Sequence, residues 1–107
     1  MTSSQKTENK IPAFLLAFVR VEDFDTYNRE YLEKASPIIM RHGGLPVAVS
    51  ENPLTLEGTI PNGKLVIVEF PSMKEAKDFN SDPEYQPLKE IRSQVSKSDA
   101  VMFERGF

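Results

Sequence analysis

The chain has 107 residues, with 13 Lys and Arg against 16 Asp and Glu, one His, no Cys and no Trp. That length fits one domain, and folding at this size hides roughly 65% of the unfolded surface, enough for one core. A net charge of −3 argues against nucleic acid or an anionic membrane surface as a partner, and the absence of cysteine excludes disulfides, Cys-based zinc sites and thiol nucleophiles.

Residues 1–10 read as a polar, solvated tail without the apolar stretch of a secretory signal, which makes the cytoplasm the expected compartment. Residues 11–107 make the single domain. Its longest apolar run, Ala13 to Val19, falls far short of the about 20 residues a membrane span needs. Ala13 to Val21 is a strand rich in Phe, Leu and Val. Asp23 can cap a helix over Phe24 to Arg41, whose Phe24, Tyr27, Tyr31, Ala35 and Ile38 share one face. Pro37 lacks an N–H and crowds the Glu33 carbonyl, so a kink or break is expected there. Gly43 supplies a left-handed helix stop.

Leu45 to Ser50 is a short second strand. A long connection follows, with Pro53, Gly58, Pro61 and Asn62-Gly63, and with a brief extra strand at Thr55-Leu56-Glu57. Leu65 to Phe70 is the third strand. Ser72 and Glu75 have capping-box spacing before a helix from Met73 to about Asn80. Asp82-Pro83 restarts helix, and Tyr85, Leu88, Ile91 or Arg92, and Val95 continue its apolar stripe. Ala100 to Arg105 is the last strand.

The order β-α-β-β-α-β is that of an α+β, ferredoxin-like domain: an antiparallel four-stranded sheet with two helices on one face and the first and third strands central. One sheet face should then be polar in a monomer. The strands break that rule. Phe14, Leu16 and Phe18 point to one side of the first strand, and Ala13, Leu15, Ala17, Val19 and Val21 to the other. Val66, Val68 and Phe70 likewise oppose Leu65 and Ile67. Burying each large side chain is worth ~1.5–3 kcal/mol. A homodimer through the sheet faces is the natural cover, the alternative being a loop or the C-terminal segment.

Three stretches carry a family pattern: Asp23-Phe24-Asp25-Thr26-Tyr27 after the opening strand, His42-Gly43-Gly44, and a longer block. That block runs from Glu57-Gly58 through Val66-Ile67-Val68-Glu69-Phe70-Pro71-Ser72 to Pro83-Glu84-Tyr85-Gln86-Pro87-Leu88-Lys89-Glu90-Ile91-Arg92. The sequence resembles the family called domain of unknown function 1330 over about Ile11 to Gly106. The resemblance implies a dimeric α+β barrel, in which two ferredoxin-like sheets face each other. Relatives in that superfamily include cofactor-free monooxygenases, haem-degrading enzymes and muconolactone-isomerase-like proteins. The chain departs from the family's habits at Phe79-Asn80 and at Ser50-Glu51-Asn52-Pro53.

Few residues are suited to chemistry. Glu69 lies among apolar neighbours, where desolvation raises a carboxylate's pKa as a general base requires; pairing with a Lys or Arg is the alternative. Tyr27 and Tyr31, one turn apart, could act as hydrogen-bond donors or general acids, or simply pack with a polar tip in water. His42 is the only imidazole, and its place before Gly43 also suits a favourable charge at a helix end. These four are the catalytic candidates. Arg20, Phe18 and Glu104 are the candidates for binding a substrate, with strand-end charges in solvent as the alternative for Arg20 and Glu104. One His and no Cys make a transition-metal site unexpected, and nothing implies a cofactor. No phosphate loop, nucleophile elbow or dinucleotide fingerprint is present. Two functions follow as expectations: a cofactor-independent enzyme of monooxygenase or isomerase type acting on a small apolar or aromatic compound, or a non-catalytic ligand-binding or structural dimer.

Overall fold

A computed structural model describes residues 10–107. The expected tail therefore lies outside the described residues, apart from Lys10. Four strands, β1 (Ala13–Val21), β2 (Leu45–Ser50), β3 (Lys64–Phe70) and β4 (Ser96–Glu104), form one antiparallel sheet in the order β2-β3-β1-β4. Three helical segments cover one face: α1 (residues 24–41), α2 (Met73–Ser81) and α3 (Gln86–Val95). This is the ferredoxin-like α+β arrangement, with the second helical region split in two. The split falls at Asp82-Pro83-Glu84-Tyr85. The Tyr85 amide bonds the Asp82 carbonyl at 2.9 Å and the Glu84 amide bonds the Asp82 carboxylate at 2.9 Å, closing a turn rather than a restarted helix.

Helix α1 runs through Pro37 without a break. Pro37 and Glu33 are both exposed, so solvent can serve the carbonyl that proline leaves without a donor. The irregularity lies one turn earlier. Tyr27–Leu32 is a π-helical stretch, in which the Glu33 amide bonds the Asn28 carbonyl five residues back. The Asp23 carboxylate caps the helix by accepting from the Thr26 amide and hydroxyl. Its end is a Schellman motif: the Gly44 amide bonds Ile39, the Gly43 amide bonds Met40, and Gly43 takes φ +82°.

Three further sequence expectations change. Thr55-Leu56-Glu57 forms no strand and stays in the connection between β2 and β3. Strand β4 begins at Ser96 rather than Ala100, straight out of α3, with Val21 paired to Ser96 and Arg20 to Lys97. At α2 the Ser72 hydroxyl bonds the Glu75 carboxylate itself instead of a backbone amide.

The core lies between the helices and the face of β1 that carries Ala13 and Val19. Phe70, Phe79 and Tyr85 are its largest fully buried side chains, with Ala35, Ile38, Ala76 and Leu88 around them. The opposite face carries Phe14, Leu16, Phe18, Leu65, Ile67, Val101 and Phe103, and no element among the described residues covers it. Val101 is 57% exposed there and Phe103 41%.

Candidate functional site

Between α1 and the covered sheet face the core does not close, leaving a cavity of about 400 Å³. Its floor is Leu15, Ala17, Val19, Val66 and Val68, the inward residues of β1 and β3. Its wall is α1, through Tyr27, Tyr31 and Ile39. Met40 and Val49, both more than half exposed, mark a rim where α1 stops short of covering β2.

The lining is mostly apolar, with Ser36, Lys64 and Ser98 as scattered polar members and one polar pole. The π turn sets Tyr27 and Tyr31 nearly one above the other, ring centres 5.2 Å apart. The Tyr31 hydroxyl is 2.7 Å from that of Tyr85, and Arg92 Nη1 donates to the Tyr85 hydroxyl at 2.9 Å. The Arg92 guanidinium also lies over the Tyr31 ring, 5.7 Å from its centre. No described hydrogen-bond partner serves the Tyr27 hydroxyl. Burial, reinforced by Tyr31 and opposed by Arg92, pushes that phenol up to about 12, and burial pushes Tyr85 higher still. Both stay protonated at neutral pH. The pole therefore offers O–H and N–H donors to an acceptor oxygen, and neither phenol serves as a base.

The residues singled out in the sequence do not all meet here. Tyr27 and Tyr31 line the cavity. Glu69 lies on the bare face, opposite Phe14 on β1 and Leu45 on β2, because residues paired across strands share a face. Phe18 is on that face too, opposite Leu65 and Asp99. Arg20 bonds the Asp99 carboxylate at 2.7 Å and the Asn62 carbonyl, and borders a separate hollow of about 410 Å³ under the 51–63 loop. Glu104 is exposed at the end of β4, opposite Ala13. His42 does not line the cavity. Its Nε2 sits 2.7 Å from the Asp82 carboxylate, which Arg41 also holds at 2.7 Å. The bonds from His42 and Arg41 pull the Asp82 carboxyl well below the usual range, and the cluster ties the end of α1 to the turn between α2 and α3.

Sequence reasoning missed Tyr85 and Arg92 as members of the pole. A usable signal was present: Arg92 falls two turns after Tyr85 on an otherwise apolar stripe, a place where a charge needs a reason. Among the described residues no cluster of three or more His, Asp or Glu could hold a metal ion, and no helix is long and apolar enough to cross a membrane.

The ferredoxin-like sheet with its helices on one face has counterparts among solved structures. A protein of unknown function from Rhodopseudomonas palustris, RPA0582, is 22% identical, with 97% of this chain and 91% of that one covered and a TM-score of 0.73. SnoaB, a cofactor-independent oxygenase from Streptomyces nogalater, is 11% identical over 91% of this chain and 95% of that one, with a TM-score of 0.62. A dimeric ferredoxin-like protein of unknown function from Thermobifida fusca is 13% identical over 91% and 93%, with a TM-score of 0.50. No curated protein matches the chain. The sequence profile of the domain of unknown function DUF1330 matches residues 12–105, and the chain belongs to that family.

Proposed function

We propose that the cavity between α1 and the sheet binds a small apolar or aromatic compound through an acceptor oxygen, and that the protein transforms it as a cofactor-independent enzyme of oxygenase or isomerase type. The observation that carries this reading is the Tyr27–Tyr31–Tyr85–Arg92 pole in a largely apolar chamber. Its volume suits a drug-sized ligand, and its donors suit an oxygen that gains negative charge during reaction. Likeness of fold to a cofactor-independent oxygenase supports the reaction type by analogy alone.

The same reading includes a homodimer through the bare sheet face. Covering several large apolar side chains there favours association by on the order of 10 kcal/mol before entropic costs. The dimeric Thermobifida relative of the fold is in keeping with it.

A second reading, binding without catalysis, is favoured by the lining itself. No carboxylate or imidazole among the described residues borders the chamber, so no side-chain base is at hand. Titration calorimetry with 2-naphthol decides whether the pole is a binding site at all. Tyr27→Phe and Tyr31→Phe should each weaken binding about fivefold, the worth of one neutral hydrogen bond near 1 kcal/mol. No binding to the parent protein, or undiminished binding to both variants, overturns the proposal. Consumption of oxygen or isomerisation of a bound compound then separates the enzyme from the binder.

A further inference from the structure

We infer that the ligand of this cavity is an anion: an apolar, ring-sized body bearing a carboxylate, phenolate or enolate oxygen. The inference rests on the cavity being the ligand site and adds the charge of what it takes. Two charged side chains border the chamber, Arg92 and Lys64, and both are cations. Elsewhere among the described residues Arg20, Arg29, Arg41, Lys10, Lys34 and Lys74 each lie within 3.0 Å of a carboxylate, while Lys77, Lys97 and Arg105 are exposed to water without one and Lys89 lies over the Tyr85 ring. Neither Arg92 nor Lys64 has one among the described residues.

Arg92 is the more telling of the two. It is half-buried, where a charge without a counter-ion is costly, and it is served only by a phenol oxygen and a ring face. A guanidinium carries five N–H donors, and one hydrogen bond to Tyr85 leaves most of them unused. Among the described residues no polar side-chain atom is both sealed off and unbonded, so the spare donors of Arg92 and the Tyr27 hydroxyl open onto accessible space. A carboxylate or enolate there would accept from the planar fork of Arg92 and from the Tyr27 phenol, and would supply the missing charge. The chain as a whole is acidic at −3, so this cationic lining is a local feature and not a consequence of overall composition.

Calorimetry with 2-naphthoate and 2-naphthamide, equal in shape and different in charge, tests the inference on the unaltered protein. The naphthoate should bind at least tenfold more tightly, about 1.4 kcal/mol. Arg92→Gln should close most of that gap, and Lys64→Gln, at the start of β3, should narrow it if the Arg92 variant does not fold. Equal affinity for the two compounds overturns the anion inference and leaves the cavity standing as an apolar site. Failure of both to bind overturns the cavity reading itself.

Discussion

Leu15 and Leu16 are neighbours on β1 and equally apolar, yet Leu15 packs against the core beneath the helices while Leu16 faces no element among the described residues. The same contrast runs across the sheet. Val66 and Val68 are covered; Leu65 and Ile67 are not. Hydrophobicity alone does not distinguish the two faces. Their polar residues do. The covered face meets Tyr27, Tyr31, Tyr85 and Arg92, all of them donors, around a chamber left unfilled. The bare face carries Glu69 and the Arg20–Asp99 pair at its ends, with a continuous apolar middle. In the proposed reading, one face receives a small molecule and the other a second flat apolar surface.

The largest effect should come from charging the bare face. Leu16→Asp removes an apolar contact from both copies, each worth ~1.5–3 kcal/mol, so the dimer dissociation constant should rise by about two to four powers of ten. Light scattering after size exclusion should show the mass falling from two chains to one while far-ultraviolet circular dichroism stays unchanged. A protein that is already a single chain before substitution breaks the contrast. On the covered face, Phe70→Ala removes a fully buried ring stacked 5.7 Å from Phe79. It should cost about 3–5 kcal/mol in urea unfolding. The matching truncation on the bare face, Phe103→Ala, should cost a single chain far less, because that ring is 41% exposed.

The smallest effect belongs to neither face. Lys10, and then Ser72, hold the Glu75 carboxyl at about 2, below its ordinary 4.5. A depressed carboxyl contributes stability above its unfolded value and loses it as pH falls through the folded one. The melting temperature of the parent should therefore exceed that of Glu75→Gln above pH 4.5, and the difference should shrink between pH 4.5 and 2. A gap that is constant across that range contradicts the pairing.

Much of this contrast was legible from spacing. Alternation along β1 and β3 assigned each side chain to its face, and turn residues such as Gly43 placed the ends of elements, since both signals are local. What escaped was set by contacts between distant segments. Ser96 to Asp99 alternate no apolar residues, and they become strand because β1 supplies a partner from Phe18 to Val21. Thr55 to Glu57 have the composition of a strand but pair with no strand of the sheet. Tyr31 and Tyr85 are 54 positions apart, so their hydrogen bond has no trace in sequence spacing. Glu69 looked like a site residue because charge among apolar neighbours signals function, but strand parity gave no means of telling which face the helices cover.

Methyl-resolved NMR during titration with 2-naphthoate tests the assignment of the two faces most directly. Resonances of Leu15, Val19, Val66 and Val68 should shift, while those of Leu16, Leu65, Ile67 and Val101 stay in place. Shifts confined to the second group, or absent from both, would contradict a ligand chamber on the helix side of the sheet.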